Sequence, residues 1–298
     1  MREHHASGRH LDSGGIDQPA PSAAPAAGDE ALHHAGRAGL IQQARIIWRY
    51  RDLIRVLAVR NVKVKYQRSA LGLLWTLLNP LLMLLILMAV FTHIVRIPIP
   101  AYWAFLLSGY FVFHCVSQIM SASSLVYLEH ATMVRSIAFP VEAPVVAATL
   151  SRLFEFMIEL GLTLVLIILF RHGGIPLSFL LIPWLMVLLL LLTLGLAMPV
   201  ATLAVFYYDV RHMLPALLAA LFYMSPVFYS MDMVPEALLP IFYINPIAYL
   251  LNIFHVVLYD GVMPSFLSLA GATALMIGTF VVGYALFNRS KHLFAEVV

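Results

Sequence analysis

Three charged residues interrupt an otherwise apolar stretch between positions 145 and 170. Arg152, Glu155 and Glu159 are spaced i, i+3 and i+7, so on a helix they share one face. Charged side chains inside a membrane-spanning helix are costly and usually pair with one another. We therefore predict that Arg152, Glu155 and Glu159 form an intramembrane brace with an Arg152–Glu155 salt bridge. A proton pathway is the alternative, but the other predicted spans hold no charge to extend a relay.

A second group of charges is almost entirely basic. Residues 41–68 contain eight Arg or Lys and a single acid, Asp52. On a helix these residues separate into an apolar side (Ile46, Ile47, Tyr50, Leu53, Ile54, Leu57) and a polar side (Arg45, Arg49, Asp52, Arg55). This pattern is typical of an amphipathic helix lying in the membrane interface. The period-two alternation from Val62 to Tyr66 also leaves a short strand open.

The basic residues of this helix lead to two further expectations. Lys and Arg beside the first span place this segment on the cytoplasmic side. A basic patch can also bind nucleic acid, but this one borders an apolar span, so we expect membrane lipids as partners and no nucleic acid. Arg49, Arg51 and Arg55 are candidates to meet the pyrophosphate of a lipid-linked precursor at an entrance, because a guanidinium fits phosphate oxygens better than an ammonium does.

The composition of the whole chain predicts a membrane protein. It is 62% hydrophobic and only 11% charged, with a mean hydropathy of +0.90, whereas soluble domains are about 25% charged. Residues 1–40 differ, because they are rich in Ala, Pro, Gly and Ser without apolar periodicity, and we expect this tail to be disordered. The single cysteine, Cys115, excludes an internal disulfide and a Cys-based zinc cage.

Six apolar stretches reach the length of about 20 residues that a membrane span needs. They cover approximately residues 71–95, 102–128, 145–170, 175–206, 213–230 and 264–287. After position 40, twelve basic residues fall on segments predicted inside and two outside, which obeys the positive-inside rule with both termini in the cytoplasm. The predicted fold is an all-α membrane protein, with the interface helix in 41–68 and a six-span domain in 69–298.

The segment 231–262 is apolar but too interrupted to cross a membrane. The interruptions are Pro235, Pro240, Asn245 and Pro246. Its only charges are acidic, which suits an outer location. We predict two short helices, about 235–243 and 247–258, that re-enter the outer leaflet. Irregular backbone at that depth is tolerated only against protein or a cavity, so we interpret this segment as an outer gate above an exit.

Four motifs, in order along the chain, resemble one family. They are Arg68-Ser-Ala-Leu-Gly-Leu-Leu-Trp75 followed by Asn79-Pro80, then Val134-Arg-Ser-Ile-Ala-Phe-Pro140, Ser225-Pro-Val-Phe-Tyr229 and Asn245-Pro246. Together they resemble the membrane subunit of ABC-2-type polysaccharide exporters, which move O-antigen, teichoic acid or capsule polymers across the bacterial inner membrane. The resemblance covers about residues 45–290, nearly everything outside the tail.

The resemblance implies roles that composition does not. The segment 129–144, with Arg135, Ile137, Phe139 and Pro140, is similar to a coupling helix that sits in a cleft of the ATPase subunit, and Arg211 would make a second, smaller contact. The family works as a homodimer with two cytoplasmic ATPase subunits. Its glycan path runs between the two copies and is lined by spans one and five.

Energy for transport has to come from a partner chain. The sequence contains no Gly-x-x-x-x-Gly-Lys-[Ser/Thr] loop and no Gly-Lys pair, so it lacks the usual phosphate cradle of an ATPase. We expect no cofactor in this chain, with ATP and Mg bound by the partner. A permease for drugs or small lipids is the alternative function. A membrane enzyme is a third class, but His93, His114 and His255 are far apart in sequence and form no evident catalytic group.

Aromatic side chains are the candidate glycan contacts. Apolar C–H faces of sugars stack on aromatic rings without requiring fixed hydrogen bonds, which suits a polymer that moves through repeated weak contacts. The candidates for the glycan channel are Trp75, Phe91, Phe222, Tyr223, Phe228 and Tyr229. The alternative for each ring is packing within the bundle or contact with lipid.

Overall fold

The computed structural model describes residues 48–67, 69–130, 140–170, 174–290 and 294. Every regular element within these ranges is helical and none is a strand, which confirms the predicted all-α fold. Five helices are long and apolar enough to cross a membrane, or six if one bent helix pair counts as a span. The predicted disordered tail, 1–40, and the coupling residues Arg135, Ile137 and Phe139 lie outside the described residues.

The helices occur in the predicted order. They are α1 Arg51–Tyr66, α2 Leu74–Ala89 with a π-helical continuation Val90–Val95, α3 Tyr102–Glu129, α4 Ala143–Phe170, α5 Ile182–Phe206 after a 3-10 turn Leu177–Leu181, α6 Asp209–Tyr223, α7 Leu239–Ile244, α8 Pro246–Phe254 with a π-helical continuation His255–Asp260, and α9 Phe266–Ser290. Four of the six predicted spans thus begin and end within a few residues of α2, α3, α4 and α9, and α5 with its 3-10 turn matches the predicted fourth span.

Helix α1 is the predicted interface helix. Its apolar side packs against α4 and buries Ile54 and Leu57, while Arg51 and Arg55 are exposed. The stretch from Val62 to Tyr66 is helical, so the alternative of a short strand is wrong. Period-two alternation over five residues is too short to compete with a helix whose apolar side is packed on a neighbour.

The predicted fifth span, 213–230, is shorter in the structure. Helix α6 has 15 residues and ends at Tyr223. At 1.5 Å per residue it is about 22 Å long, less than the roughly 30 Å of the hydrocarbon core. Pro226 explains the end of the helix, because a proline disfavours helical backbone at the residue before it, here Ser225. The chain turns after α6 and runs directly into the segment 231–262.

The segment 231–262 contains the two short helices that were predicted, α7 and α8. Short 3-10 turns at Met231–Met233 and Glu236–Leu238 precede α7 and α8, and the chain bends by 98° between the two helical arms. Asn245 stands at the bend and caps α8, since its Oδ1 accepts hydrogen bonds from the amides of Ile247 at 3.0 Å and Ala248 at 3.4 Å. A capping Asn followed by Pro at the first helical position is a strong helix start.

Helix α3 is the centre of the bundle. It packs against α4 on one side and α5 on another, and 61% of its most apolar stretch is buried. Helix α9 packs mainly on α5, where Gly195 and Gly283 bring the two backbones together. A Cβ atom on Gly283 would overlap the carbonyl group of Gly195. Small residues at such contacts are the usual means of close packing between membrane helices.

Candidate functional site

Five of the six aromatic residues predicted for the glycan channel lie together around Phe228. The ring of Phe91 stacks on that of Phe228 with centroids 4.8 Å apart. The rings of Phe222, Tyr223 and Tyr229 lie at 5.6, 5.7 and 5.0 Å from it. We call these five residues the aromatic cluster. It joins the end of span one to the turn that follows α6.

Hydrogen bonds and backbone geometry fix the aromatic cluster. The hydroxyl of Tyr102, on α3, donates to the carbonyl of Phe228 at 2.7 Å, and the hydroxyl of Tyr229 donates to the carbonyl of Tyr223 at 3.0 Å. Phe91 belongs to the π-helical end of span one, and π-helical turns are frequent at functional sites. Tyr102 was not among the residues predicted for the glycan channel, because an aromatic residue at the start of a span is typical of a membrane anchor.

Trp75 does not belong to the aromatic cluster. It stands near the start of α2, 16 residues before Phe91, which corresponds to about 24 Å along a helix. Its side chain is partly exposed, and it has no ring contact within the described part of the chain. Trp75 and Phe91 therefore do not form a continuous row of rings along span one within a single copy.

The intramembrane charges form a larger network than the sequence analysis predicted. Arg152 donates to Glu155 Oε2 at 2.9 Å, as the brace hypothesis expected. Lys65 at the end of α1 also bonds both oxygens of Glu155, at 3.1 and 2.9 Å, and Tyr66 donates to Oε1 at 3.0 Å. One buried carboxylate thus connects the end of α1 to α4.

Tyr66 extends this network to span one. Its hydroxyl lies 2.6 Å from Oγ1 of Thr76, near the start of α2. The carboxylate network therefore comprises Lys65, Tyr66, Thr76, Arg152 and Glu155, and it fixes the interface helix to two spans. Lys65, Tyr66 and Thr76 were missed because they are about 80 to 90 positions from Glu155 and carried no local pattern.

Glu159 stands apart from this network. Its Oε1 lies 3.1 Å from Nδ1 of His114 on α3, and Nε2 of His114 lies 3.4 Å from the amide nitrogen of Gln118. The brace hypothesis placed Glu159 with Arg152 and Glu155, and the sequence analysis treated His114 as isolated. The tertiary fold instead pairs Glu159 with His114 and links α4 to α3.

The three arginines predicted at the entrance do not form one group. Arg51 and Arg55 line a groove between α1 and α4, together with Lys63, and Arg49 lies outside it. The guanidinium of Arg51 donates to the Trp48 carbonyl at 3.4 Å and lies 5.5 Å from the centroid of the Trp48 ring. Their proposed contact with a pyrophosphate stays a prediction.

Two of the predicted coupling residues are described. Arg211 donates to the carbonyl of Ala204 at 2.8 Å, so it caps the carboxyl end of α5, where a cation is favoured. Pro140 begins the turn into α4, because its carbonyl accepts from the amide of Ala143 at 2.9 Å. The hydroxyl of Tyr127 on α3 donates to the Val141 carbonyl at 2.7 Å and so fixes the chain near the carboxyl end of the segment 129–144. Contact with an ATPase stays a prediction for both residues.

The comparison with protein families decides the class of the chain. The model of the ABC-2 type transporter family matches residues 52–259, from α1 to near the end of the segment 231–262. The chain belongs to the ABC-2 type transporter family. This permease is a multi-pass membrane protein and a transport subunit without a catalytic domain of its own, as the sequence analysis predicted. ABC-2 permeases act together with ATPase subunits.

Curated relatives of this ABC-2 permease span nearly the whole chain. Two proteins of Klebsiella pneumoniae, each named O-antigen export system permease protein RfbA, are 28% and 27% identical over 250 residues, which covers 83% of this chain and 95% of theirs. A Myxococcus xanthus protein with the same name is 26% identical over 262 residues, or 87% of this chain and 100% of its own.

Proposed function

We propose that this ABC-2 permease is the transmembrane subunit of an exporter that moves a lipid-linked polysaccharide out of the cytoplasm. The cargo class is an O-antigen-like glycan, a teichoic acid or a capsule polymer. The observation that carries the proposal is the set of O-antigen export permeases that match the chain over nearly their whole length. The aromatic cluster supports it, because a group of exposed and half-buried rings suits a sugar polymer better than it suits an ion or a small polar solute.

The aromatic cluster would act on the glycan through stacking. The Tyr223 side chain is 65% exposed, while Phe91, Phe222 and Phe228 are half-buried behind it. Rings of this kind offer apolar faces for sugar C–H groups, and the tyrosine hydroxyls add polar contacts at the edge. Contacts that are individually weak allow a polymer to advance one unit at a time without a deep energy minimum.

A homodimer completes the proposed path. Span one and the last span bury only 22% and 17% of their most apolar stretches within one copy. On span one the exposed side includes Leu82, Leu85 and Ile86, and α6 exposes Met213 and Leu217. A second copy that covers α2 and α6 would place two aromatic clusters beside one path. We propose this dimer, with two ATPase subunits, in a bacterial inner membrane and with both termini in the cytoplasm.

The segment 129–144 would transmit the conformational change of the ATPase to the membrane helices. We propose that Arg135, Ile137, Phe139 and Pro140 contact the ATPase, with Arg211 nearby. Both ends of this segment are attached to rigid elements: His130 Nδ1 lies 2.8 Å from the carbonyl of Val126, and Tyr127 bonds Val141. A push on a segment that is fixed at both ends would move α3 and α4 together.

Depletion of the protein in its host tests the function. We expect a polyprenyl-linked polymer to accumulate at the cytoplasmic face while surface polymer falls, as measured by mass spectrometry of extracted lipid-linked glycans. Unchanged glycans with normal surface polymer would reject polysaccharide export and favour a permease for drugs or small lipids.

Variants in the depleted strain connect the function to the aromatic cluster. Phe228→Ala removes the ring at the centre of the cluster, and we expect export to fall about fivefold, because one aromatic contact is worth about 1 kcal/mol. Phe266→Ala is the matched control, since Phe266 is 88% exposed and has no ring contact among the described residues. Equal export by both variants, at equal protein levels, would show that the aromatic cluster does not act on the cargo.

A further inference from the structure

A groove of about 710 Å³ lies between α1 and the membrane helices beside it. Its apolar walls are formed by Ile54, Ala58, Val59 and Val62 of α1, by Leu73 before α2, and by Val146, Leu150 and Phe154 of α4. We call it the α1 groove. The Phe154 side chain is half exposed, so no described part of the chain covers this wall. The volume lies within the range of about 300–1,000 Å³ that is typical of ligand pockets.

Three cations border the same groove. They are Arg51, Arg55 and Lys63, and Arg51 and Arg55 are one helical turn apart on the same side of α1. Among the described residues, ion pairs with a carboxylate involve only Lys65, Arg152 and His114. The cations of the α1 groove therefore have no carboxylate partner within that part of the chain. An apolar groove with cations along its border is complementary to an amphiphile with an anionic head.

We propose that the α1 groove binds an anionic glycerophospholipid of the leaflet in which α1 lies, with its acyl chains against α4 and its phosphate at Arg51 and Arg55. Guanidinium groups bond phosphate oxygens in pairs, and Lys63 adds a further positive charge. Trp48 stands at the groove beside Arg51, and tryptophan prefers the level of the lipid headgroups. A soluble anion would leave the apolar walls uncovered.

The α1 groove holds two of the three arginines predicted at the entrance, Arg51 and Arg55, so a lipid-linked precursor is the competing occupant of this site. The groove is formed within one copy, and the ion pair of Lys65 with Glu155 fixes α1 in place beside it. A lipid bound there would stabilise the interface helix against α4 whatever polymer is exported, so this proposal does not depend on the proposed cargo.

Fluorescence quenching tests the proposal on the full-length chain. Trp75, Trp103 and Trp184 are changed to Phe, which leaves Trp48 as the only tryptophan. The protein is reconstituted with rising fractions of brominated phosphatidylglycerol or brominated phosphatidylcholine. We expect half-maximal quenching of Trp48 at a fraction of phosphatidylglycerol at least fivefold lower than that of phosphatidylcholine, because each Arg or Lys near an anionic lipid is worth about fivefold in affinity.

Two double variants determine whether the groove is responsible. Arg51→Gln with Arg55→Gln should bring the two quenching curves together. Arg49→Gln with Arg60→Gln removes the same charge from the same region outside the α1 groove and should keep the preference. Native mass spectrometry of the chain with all its tryptophans should show retained phosphatidylglycerol that the first pair loses and the second pair keeps, which provides a readout that does not depend on the Trp substitutions.

Four results would overturn the proposal. The first is equal quenching by the two lipids in the parent protein, and the second is a preference for phosphatidylglycerol that survives Arg51→Gln with Arg55→Gln. The third is an equal loss of that preference in both double variants, and the fourth is release of phosphatidylglycerol by added polyprenyl phosphate at a lower fraction than by unlabelled phosphatidylglycerol. The third result would indicate a diffuse surface charge. The fourth would identify a cargo-type lipid as the preferred occupant.

Discussion

The carboxylate of Glu155 connects the end of α1 to α4. Its carboxylate accepts from Lys65, Tyr66 and Arg152 at 2.9–3.1 Å. Glu155→Ala would leave two partly buried cations without an acceptor, and breaking a buried ion pair from one side costs about 3–5 kcal/mol. Because the Lys65 side chain is 38% exposed, we expect a cost of about 3 kcal/mol, seen as a lower midpoint of thermal unfolding in detergent.

Glu129→Ala is the control for this prediction. Glu129 borders the same cavity as Glu155, between α1, α3 and α4, but it is exposed. Substitutions of this kind usually change stability by less than about 0.5 kcal/mol. Similar midpoints for the two variants would mean that the carboxylate network contributes no net stability, whatever its geometry.

Helices α5 and α9 can pack closely because Gly195 and Gly283 have no side-chain atoms at their contact. A Cβ on Gly283 would overlap the Gly195 carbonyl, and a Cβ on Gly195 would lie 2.8 Å from the backbone of Phe280. Backbone cannot move aside as a flexible side chain can, so Gly283→Ala must separate the helices. We expect a destabilisation of about 1–3 kcal/mol, the usual cost of overpacking, measured by thermal or denaturant unfolding of the purified protein.

Gly278→Ala on the same helix provides the comparison. An added Cβ at Gly278 meets nothing within 4 Å, and alanine is the better helix former by about 0.5–1 kcal/mol. This variant should therefore be as stable as the parent or slightly more stable. Equal destabilisation by the two substitutions would point to a general intolerance of α9 rather than to its contact with α5.

A helix could be predicted from the sequence where the residues that determine it are close together in the chain. Hydropathy and charge asymmetry predicted α1, the long spans and the two short helices α7 and α8, because each depends on a continuous stretch of residues. The shorter α6 was also encoded locally, in Pro226, but the apolar residues around it masked the break. The pairing of Glu159 with His114, across 45 positions, depends on how α3 packs on α4, and one sequence without relatives contains no such signal.

At the scale of the whole molecule, one copy leaves α2 and α6 incompletely covered. Ile86 on α2 and Leu217 on α6 are 58% and 53% exposed. Each lies about one and a half helical turns before the aromatic cluster, so both are at a similar depth. Lipid could cover these side chains as well as a second copy could, since membrane helices associate without a hydrophobic driving force. The dimer therefore needs a direct test.

Cross-linking can show whether a second copy or lipid covers α2 and α6. The chain suits this experiment because its single cysteine, Cys115, is buried. In a Cys115→Ala background, Ile86→Cys combined with Leu217→Cys should yield a covalent dimer with a flexible bismaleimide in membranes. Val282→Cys on α9, at 60% exposure, should stay monomeric under the same treatment. If only Val282→Cys forms a covalent dimer, the contact between copies lies at α9, away from the aromatic clusters. If neither variant forms a covalent dimer, we conclude that α2 and α6 face lipid. The glycan path would then have to lie within a single copy.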